Sequence, residues 1–83
     1  MRSPFDLTRF MAGDLAETDS GAKVRFVAHV PEADSTQRVV GLIFYWGGAK
    51  EILVVSEEGK FGRYREGANS LDLFMAPRVA IAA

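Results

Sequence analysis

The sequence predicts an α+β domain, in which a short N-terminal helix precedes a five- or six-stranded antiparallel meander curled into a small SH3-like half-barrel. The clearest observation is a pair of β-branched and aromatic runs within residues 38–56, because these residue types favour strands. Gly47 and Gly48 separate the two runs, and adjacent glycines supply the positive φ angles of a tight hairpin turn. Short apolar segments bounded by turn-forming residues continue on both sides of this hairpin.

Neither strand of the hairpin alternates between polar and apolar residues. Residues 39–46 and 52–55 are apolar at nearly every position. Strands of this kind are usually buried on both faces, so we expect cover on both sides of the hairpin or a partner chain. The apolar surface of these strands also leaves room for a homodimer.

Length and composition restrict the class of protein. We treat residues 1–83 as a single domain, because a chain of this size has one hydrophobic core. The hydrophobic fraction of 48% argues against disorder, and the net charge of −1 disfavours direct binding of nucleic acid. No apolar run reaches the roughly 18 residues of a membrane span, and no signal peptide is seen. There is no cysteine, so we expect a cytoplasmic protein without disulfides or membrane contact.

The first residues predict a short helix. Ser3 fits the N-cap, Pro4 the first helical position, and Asp6 the third, which is the spacing of a capping box with Asp in place of Glu. Gly13 is placed to end the helix, so we expect it to run from about Pro4 to Ala12. A helix this short is unstable alone and must pack on the sheet. The stripe that packs there is expected to be Leu7, Phe10 and Met11.

Further strands are expected before and after the hairpin. Residues 23–30 alternate cleanly, with Val24 and Phe26 on one face and Arg25 and His29 on the other. The remaining candidates are a strand at 15–18, a fifth strand at 61–65, a weakly alternating segment at 71–75 and a short edge segment at 79–81.

None of the polar residues forms a recognisable catalytic, metal-binding or cofactor-binding pattern. His29 is the only histidine, and without partners at a supporting spacing we expect it to be a surface or half-buried strand residue. We expect helix capping for Asp6 and loop hydrogen bonding for Asp72, in place of acid–base catalysis. Gly47 and Gly48 lack the frame of a phosphate-binding loop. The sequence therefore predicts a non-enzymatic protein without a metal or cofactor.

Two features are candidates for contact with a partner. Residues 60–65 interleave basic and aromatic side chains, a pattern that can hold single-stranded nucleic acid. An amphipathic edge strand is favoured over that interpretation, because the chain as a whole is not basic. Trp46 lies beside the glycine turn and is either a cover for the core or an exposed contact residue. The contact candidates are Trp46, Lys60, Arg63, Tyr64 and Arg65.

A third candidate follows from topology. Alternate connections of an up-and-down meander emerge at the same end of the sheet, so the loop at 31–35 and the turn at 57–60 should be neighbours. The start of the first strand should lie at that end too. Such a cluster either keeps the strand ends soluble or docks on a basic protein surface. We name it the acidic end, opposed by Arg38 and Lys60, and it consists of Asp14, Glu32, Asp34, Glu57 and Glu58.

Four short motifs occur in order along the chain: Phe5-Asp6-Leu7, Gly21 to Arg25, Gly59-Lys60-Phe61, and Ser70 to Met75. They resemble a group of very short bacteriophage and prophage proteins, in which an N-terminal FDL precedes a helix, two DGR turns follow, and an S-x-DLF element stands near the C-terminus. The chain departs from that group at both DGR turns, where it has Ser-Gly-Ala and Glu-Gly-Lys. It also has a longer connection at 46–51 and a tail after Ala76.

The resemblance implies a small accessory protein of mobile DNA, acting in the cytoplasm of a bacterial host. The group has no agreed activity, but some phage proteins of this size are anti-CRISPR inhibitors that dock on a host effector complex. By class analogy, we expect a protein–protein interaction in which the acidic end meets the basic, DNA-binding surface of such a complex. The alternatives are a small-barrel nucleic-acid-binding protein that uses residues 60–65, and a self-associating structural phage component.

Overall fold

The computed structural model of the protein describes residues 3–62 and 69–77. These residues form one six-stranded antiparallel sheet and one short helix, in agreement with the expected α+β class. The strand order across the sheet is β1-β6-β2-β3-β4-β5. The elements are β1 Ser3–Pro4, α1 Leu7–Met11, β2 Ala16–Thr18, β3 Lys23–His29, β4 Val39–Phe44, β5 Lys50–Val55 and β6 Leu73–Met75.

The predicted meander is correct for β2 to β5 and wrong for β6. Consecutive strands pair from β2 to β5, but β6 returns across the sheet and lies between β1 and β2. Met75 opposes Ser3 on one side and Ala16 on the other. Of the predicted strand at 61–65, residues 61 and 62 form a loop, and the remainder lies outside the described residues, as does the segment at 79–81.

The helix starts later than the sequence predicts. Ser3 and Pro4 form β1 and pair with β6, so Ser3 is not the N-cap. Asp6 takes that role, because its carboxylate accepts a hydrogen bond from the backbone N–H of Arg9 at 3.1 Å. Aspartate caps a helix as well as serine does, and proline suits an edge strand as well as a first helical turn.

The helix ends where Gly13 was expected to end it. Gly13 has φ of 111°, and its N–H donates to the Phe10 carbonyl while Asp14 N–H donates to the Arg9 carbonyl. This pair of bonds is a Schellman motif, which favours glycine. Phe10 is fully buried against Phe5 and Phe26, with ring centroids 5.4 and 5.5 Å away. Met11, expected in the same stripe, is 44% exposed, because five residues of helix turn only one narrow face inward.

One face of the sheet forms the core under α1. On β4 this face carries Val39, Gly41 and Ile43, all buried. A side chain on Gly41 would lie 2.6 Å from Val24 Cγ1 and 3.5 Å from the Phe10 ring, so glycine lets the helix approach β3 and β4 closely. Leu53 and Val55 of β5 complete the buried row.

A β-bulge in β3 reverses the predicted orientation of His29. The register shifts between Phe26 and Ala28, so that Phe26 opposes Gly41 while His29 opposes Val39. Opposed residues of an antiparallel pair share a face, and His29 therefore lies on the core face and not with Arg25 as expected. The sequence alternates strictly over residues 23–30 and so gives no sign of the extra residue of the bulge. That residue is Val27, which is 47% exposed.

Candidate functional site

The second face of the β4–β5 hairpin is apolar and carries no helix or strand of the described chain. Leu42 opposes Ile52, and Val40 opposes Val54. Ile52 is 62% exposed and the other members are half-buried by their neighbours. The sequence missed these residues as a site, although the lack of polar alternation in the hairpin was the signal. We call this surface the outer face, and its apolar members are Val40, Leu42, Phe44, Ile52 and Val54.

Cations border the outer face at one end. Arg25 of β3 opposes Leu42, and Lys50 of β5 opposes Phe44. Both side chains are exposed, and neither forms an ion pair with another described residue. Lys23, on the far side of Phe44, is paired with Glu17 of β2. The charge that this end of the outer face presents is therefore positive.

Strand β5 is an edge of the sheet formed by the described residues. The hydrogen bond of 2.8 Å from Tyr45 N–H to the Ala49 carbonyl sets the alternation of bonds between β4 and β5. Residues 51, 53 and 55 then bond to β4, while the N–H and C=O groups of Lys50, Ile52 and Val54 point away from it. The edge ends at Ser56, whose N–H donates to the Lys60 carbonyl at 2.9 Å.

Trp46 stands at the tip of the hairpin and is 86% exposed. Of the two roles considered for it, a cover for the core is thereby excluded. Gly47 and Gly48 have φ of 86° and 91°, so the turn uses the left-handed conformations that the glycine pair was expected to supply. The strand itself ends at Phe44, two residues before the tryptophan.

A groove of about 250 Å³ adjoins the outer part of β5. Its walls come from the loop before β4 and from the segment that follows the 56–60 turn. Two of the residues that line it belong to β5, which has a strand neighbour on one side only among the described residues. The residues that line it are Thr36, Gln37, Ile52, Val54, Phe61 and Gly62.

At the opposite end of the hairpin from Trp46, Glu57 joins two elements by side-chain contacts. His29 Nε2 lies 2.7 Å from Glu57 Oε2, and Arg38 Nη1 lies 3.4 Å from Glu57 Oε1. Arg38 also donates from Nε to the Ala33 carbonyl at 2.9 Å. These contacts place the loop at 31–35 beside the turn at 57–60, the neighbourhood that the meander predicts.

The hydrogen bond with His29 lowers the pKa of Glu57 below its ordinary value of 4.5. Arg38 acts in the same direction through its hydrogen bond and its charge, and partial desolvation opposes both. Glu57 is thus a structural carboxylate that holds the end of β3 to the end of β5.

The other members of the acidic end differ in their surroundings. Asp14 pairs with Arg9 at 2.8 Å, and Asp34 accepts hydrogen bonds from the backbone and hydroxyl of Thr36. Glu32 and Glu58 are exposed, on the loop and the turn that Glu57 brings together. Among the described residues, Asp14 and Glu57 have cationic partners, which reduces the negative field at this end.

The predicted basic strand is described only at its start. Lys60 is exposed, and Phe61 is half-buried with its N–H donating to Asp72 Oδ1 at 3.0 Å. Arg63, Tyr64 and Arg65 lie outside the described residues. Nucleic-acid binding through this segment stays a prediction.

The two aspartates considered for acid–base chemistry have the structural roles expected of them. Asp6 caps α1. Asp72 is 2% exposed and accepts hydrogen bonds from the backbone N–H groups of Phe61 and Asn69, each at 3.0 Å. Both aspartates therefore accept hydrogen bonds from backbone N–H groups. Through these bonds Asp72 joins the chain before β6 to the segment after β5.

Within residues 3–62 and 69–77, no cluster of three or more His, Cys, Asp or Glu side chains could hold a metal ion. The same residues contain no helix of the length and apolarity needed to cross a membrane. Comparison with protein-family models, with curated proteins and with solved structures gives no match to this chain.

Proposed function

We propose that this protein acts without catalysis, by binding a partner protein through the outer face. The supporting observation is the apolar surface of a fully paired hairpin, with Ile52 62% exposed at its centre. Apolar side chains on a regular sheet gain free energy when water is removed from them. Contiguous apolar patches rimmed by polar residues are typical of protein interaction sites.

The charges beside the outer face indicate the chemistry of the partner. Arg25 and Lys50 border Leu42 and Phe44 and have no described counter-charge. A complementary surface therefore has an apolar patch flanked by carboxylates. Opposite charges at the rim of an interface speed encounter and fix its register.

A non-enzymatic role is supported by what the polar side chains do. His29 is hydrogen-bonded to Glu57, and Asp72 accepts hydrogen bonds from two backbone N–H groups. Asp6 caps the helix. Each candidate for proton transfer thus has a structural partner.

The motif resemblance supports a narrower setting, in which the protein is a phage or prophage accessory protein acting in the cytoplasm of a bacterial host. The contacts near Gly59 support the further proposal that the sheet is curled as an SH3-like half-barrel. The carbonyl of Gly59, just after β5, accepts a hydrogen bond from the Leu73 N–H of β6, and a side chain on Gly59 would meet the Phe5 ring at 2.6 Å. The segment after one edge strand thus approaches the far side of the sheet.

A second candidate uses the acidic end in place of the outer face. Its supporting observation is that Glu57 brings the exposed Glu32 and Glu58 to the same end of the sheet. Here the partner is basic, and the DNA-binding surface of a host defence effector complex, the target of an anti-CRISPR inhibitor, is one such surface.

Two matched variants separate the candidates in an affinity capture from bacterial lysate, read by mass spectrometry. The outer-face variant is Arg25→Glu with Leu42→Thr, both away from the core. The acidic-end variant is Glu32→Lys with Glu58→Lys, which spares the structural Glu57. Circular dichroism is the check that both variants fold.

We expect the wild type and the acidic-end variant to capture the same partner protein from the lysate, and the outer-face variant to fail to capture it. Purified partner should then bind the outer-face variant at least about tenfold more weakly, a difference of about 1.4 kcal/mol. Loss of the retained protein only in the acidic-end variant supports the second candidate. Equal retention by all three proteins contradicts both.

A further inference from the structure

We propose that two copies of this protein pair edge to edge along β5, in one register, to form a symmetric dimer with a continuous twelve-stranded sheet. The inference does not depend on the outer-face partner. It starts from the alternation of backbone bonds, which leaves the N–H and C=O groups of Lys50, Ile52 and Val54 directed away from β4. Edge strands with such a row of groups are templates for pairing with another strand.

A second copy presents the same outward-directed backbone groups, and the hydrogen-bonding pattern then determines the register of the pair. In an antiparallel pair related by a two-fold axis, the free groups of one strand must oppose free groups of the other. Pairing Ile52 with Ile52 of the second copy also pairs Lys50 with Val54, so that all three free residues are used. Shifting one strand by two residues towards the turn at 47–48 opposes Glu51 to its own copy, and like charges directly opposite each other are unfavourable. Shifting the other way meets Ser56, whose N–H is occupied.

The same register accounts for two further features. Ile52, 62% exposed, lies on the two-fold axis and packs on its own copy. Continued past the strand ends, the register brings the hairpin tip of one copy to the 57–60 turn of the other. The exposed Trp46 then lies beside the groove lined by Phe61 and Gly62, whose volume of about 250 Å³ suits one indole side chain. Tryptophan filling a pocket is typical of an interface hot spot.

A cysteine at the axis tests the register directly, because the chain has no cysteine of its own. In the proposed register, the two cysteines of an Ile52→Cys dimer form a hydrogen-bonded pair across the axis. The Cα atoms of such a pair are about 5.5 Å apart, which is within the range of a disulfide. Val27→Cys is the matched control, since Val27 is also exposed but lies in the β3 bulge, away from the edge. We expect mild oxidation to convert most of the first variant to dimer and little of the second. Equal rates of cross-linking overturn the proposed register.

Charge at the axis provides an independent test. Pairing at residue 52 would bring two lysines together in Ile52→Lys and two glutamates together in Ile52→Glu. Because like charges repel, each variant alone should be monomeric in sedimentation. An equimolar mixture opposes lysine to glutamate and should sediment as a dimer. Dimerisation of Ile52→Lys alone, or failure of the mixture to associate, contradicts pairing at residue 52. Because Ile52 is exposed, neither change disturbs the core.

The wild-type protein should show reversible association between about 5 and about 500 µM, with mass action setting the dimer fraction. Trp46 is the only tryptophan, so its fluorescence reports on the groove. We expect its emission to shift to shorter wavelength with concentration in the wild type and to stay constant in Ile52→Lys. A wild type that remains monomeric at the highest concentration overturns the dimer. A dimer with unshifted emission overturns the placement of Trp46.

Discussion

Thr18 is a fully buried polar residue that organises the turn between β2 and β3. Its Oγ1 accepts a hydrogen bond of 3.0 Å from the backbone N–H of Ala22 and lies 2.9 Å from Ser20 Oγ. We expect Thr18→Val to lower the free energy of unfolding by about 1–3 kcal/mol, because it leaves a buried N–H unsatisfied. Urea denaturation measures this.

Ser20→Ala is the matched control for Thr18. Ser20 is exposed, and its replacement keeps the bond between Thr18 and Ala22. A change within about 0.5 kcal/mol is expected, as for other exposed positions. Equal loss of stability in the two variants would show that the Thr18 hydroxyl does not act through Ala22.

Glu57 gives the protein a pH-dependent contact. Since its pKa is lowered by His29 and Arg38, its stabilising effect is complete above 4.5 and is lost as the pH falls through the lower, folded-state pKa. Glu57→Gln should therefore have a lower urea midpoint than wild type at neutral pH, and the difference should shrink in acid. Midpoints measured from pH 3 to pH 7 test this.

The control for Glu57 is Glu58→Gln, which removes the same charge one residue away. Glu58 is exposed and forms no ion pair with another described residue. Its replacement should leave the urea midpoint near that of wild type. A constant difference between Glu57→Gln and wild type at every pH would contradict the role given to the ionised carboxylate.

At the scale of single elements, α1 is held by one side chain. Phe10 is fully buried between Phe5 and Phe26, whereas Met11 is 44% exposed. Phe10→Ala should lower the free energy of unfolding by about 3 kcal/mol or more, the usual range for a truncated core aromatic. Met11→Ala, the matched control, should change it by less than about 1 kcal/mol. Equal midpoints in denaturant for Phe10→Ala and wild type would mean that α1 does not stabilise the sheet.

The sequence was sufficient to predict elements that depend on local chemistry. The glycine turn of the hairpin, the end of α1 at Gly13 and the β2–β5 meander follow from glycine conformations and from apolar periodicity. The start of α1 was misplaced because Ser3 and Asp6 are both good caps, and only pairing with β6 decides between them. That pairing joins residues about seventy positions apart, which no local pattern reveals.

The orientation of His29 and the outer face depended on non-local information as well. One extra residue in β3 changes the face of every residue after it, and the alternating sequence contains no mark of the insertion. The hairpin was recognised as apolar on both faces, but which face α1 covers depends on where Gly41 allows Phe10 to approach. The outer face could therefore be inferred as a surplus of apolar surface and not as a defined site.

At the scale of the whole molecule, hydrogen exchange should show an alternating pattern along β5. The N–H groups of Glu51, Leu53 and Val55 bond to β4, while those of Lys50, Ile52 and Val54 point away. In dilute solution the first set should exchange slowly and the second set fast. At high concentration the second set should slow down in the wild type but not in Ile52→Lys. Uniform exchange along β5 would contradict the assignment of the free edge.

The position of β6 between β1 and β2 also affects how the protein is made. Translation supplies the whole β2–β5 meander by residue 55, and these strands can pair as they leave the ribosome. Ser3 and Pro4 leave before these strands, yet within the described part of the chain β1 pairs with β6 alone, and β6 is not complete until Met75. Pairing over so long a stretch of chain is slow. Residues 3 and 4 are therefore made before the meander but paired after it, and until β6 is in place the unpaired side of β2 is open to newly made chains nearby.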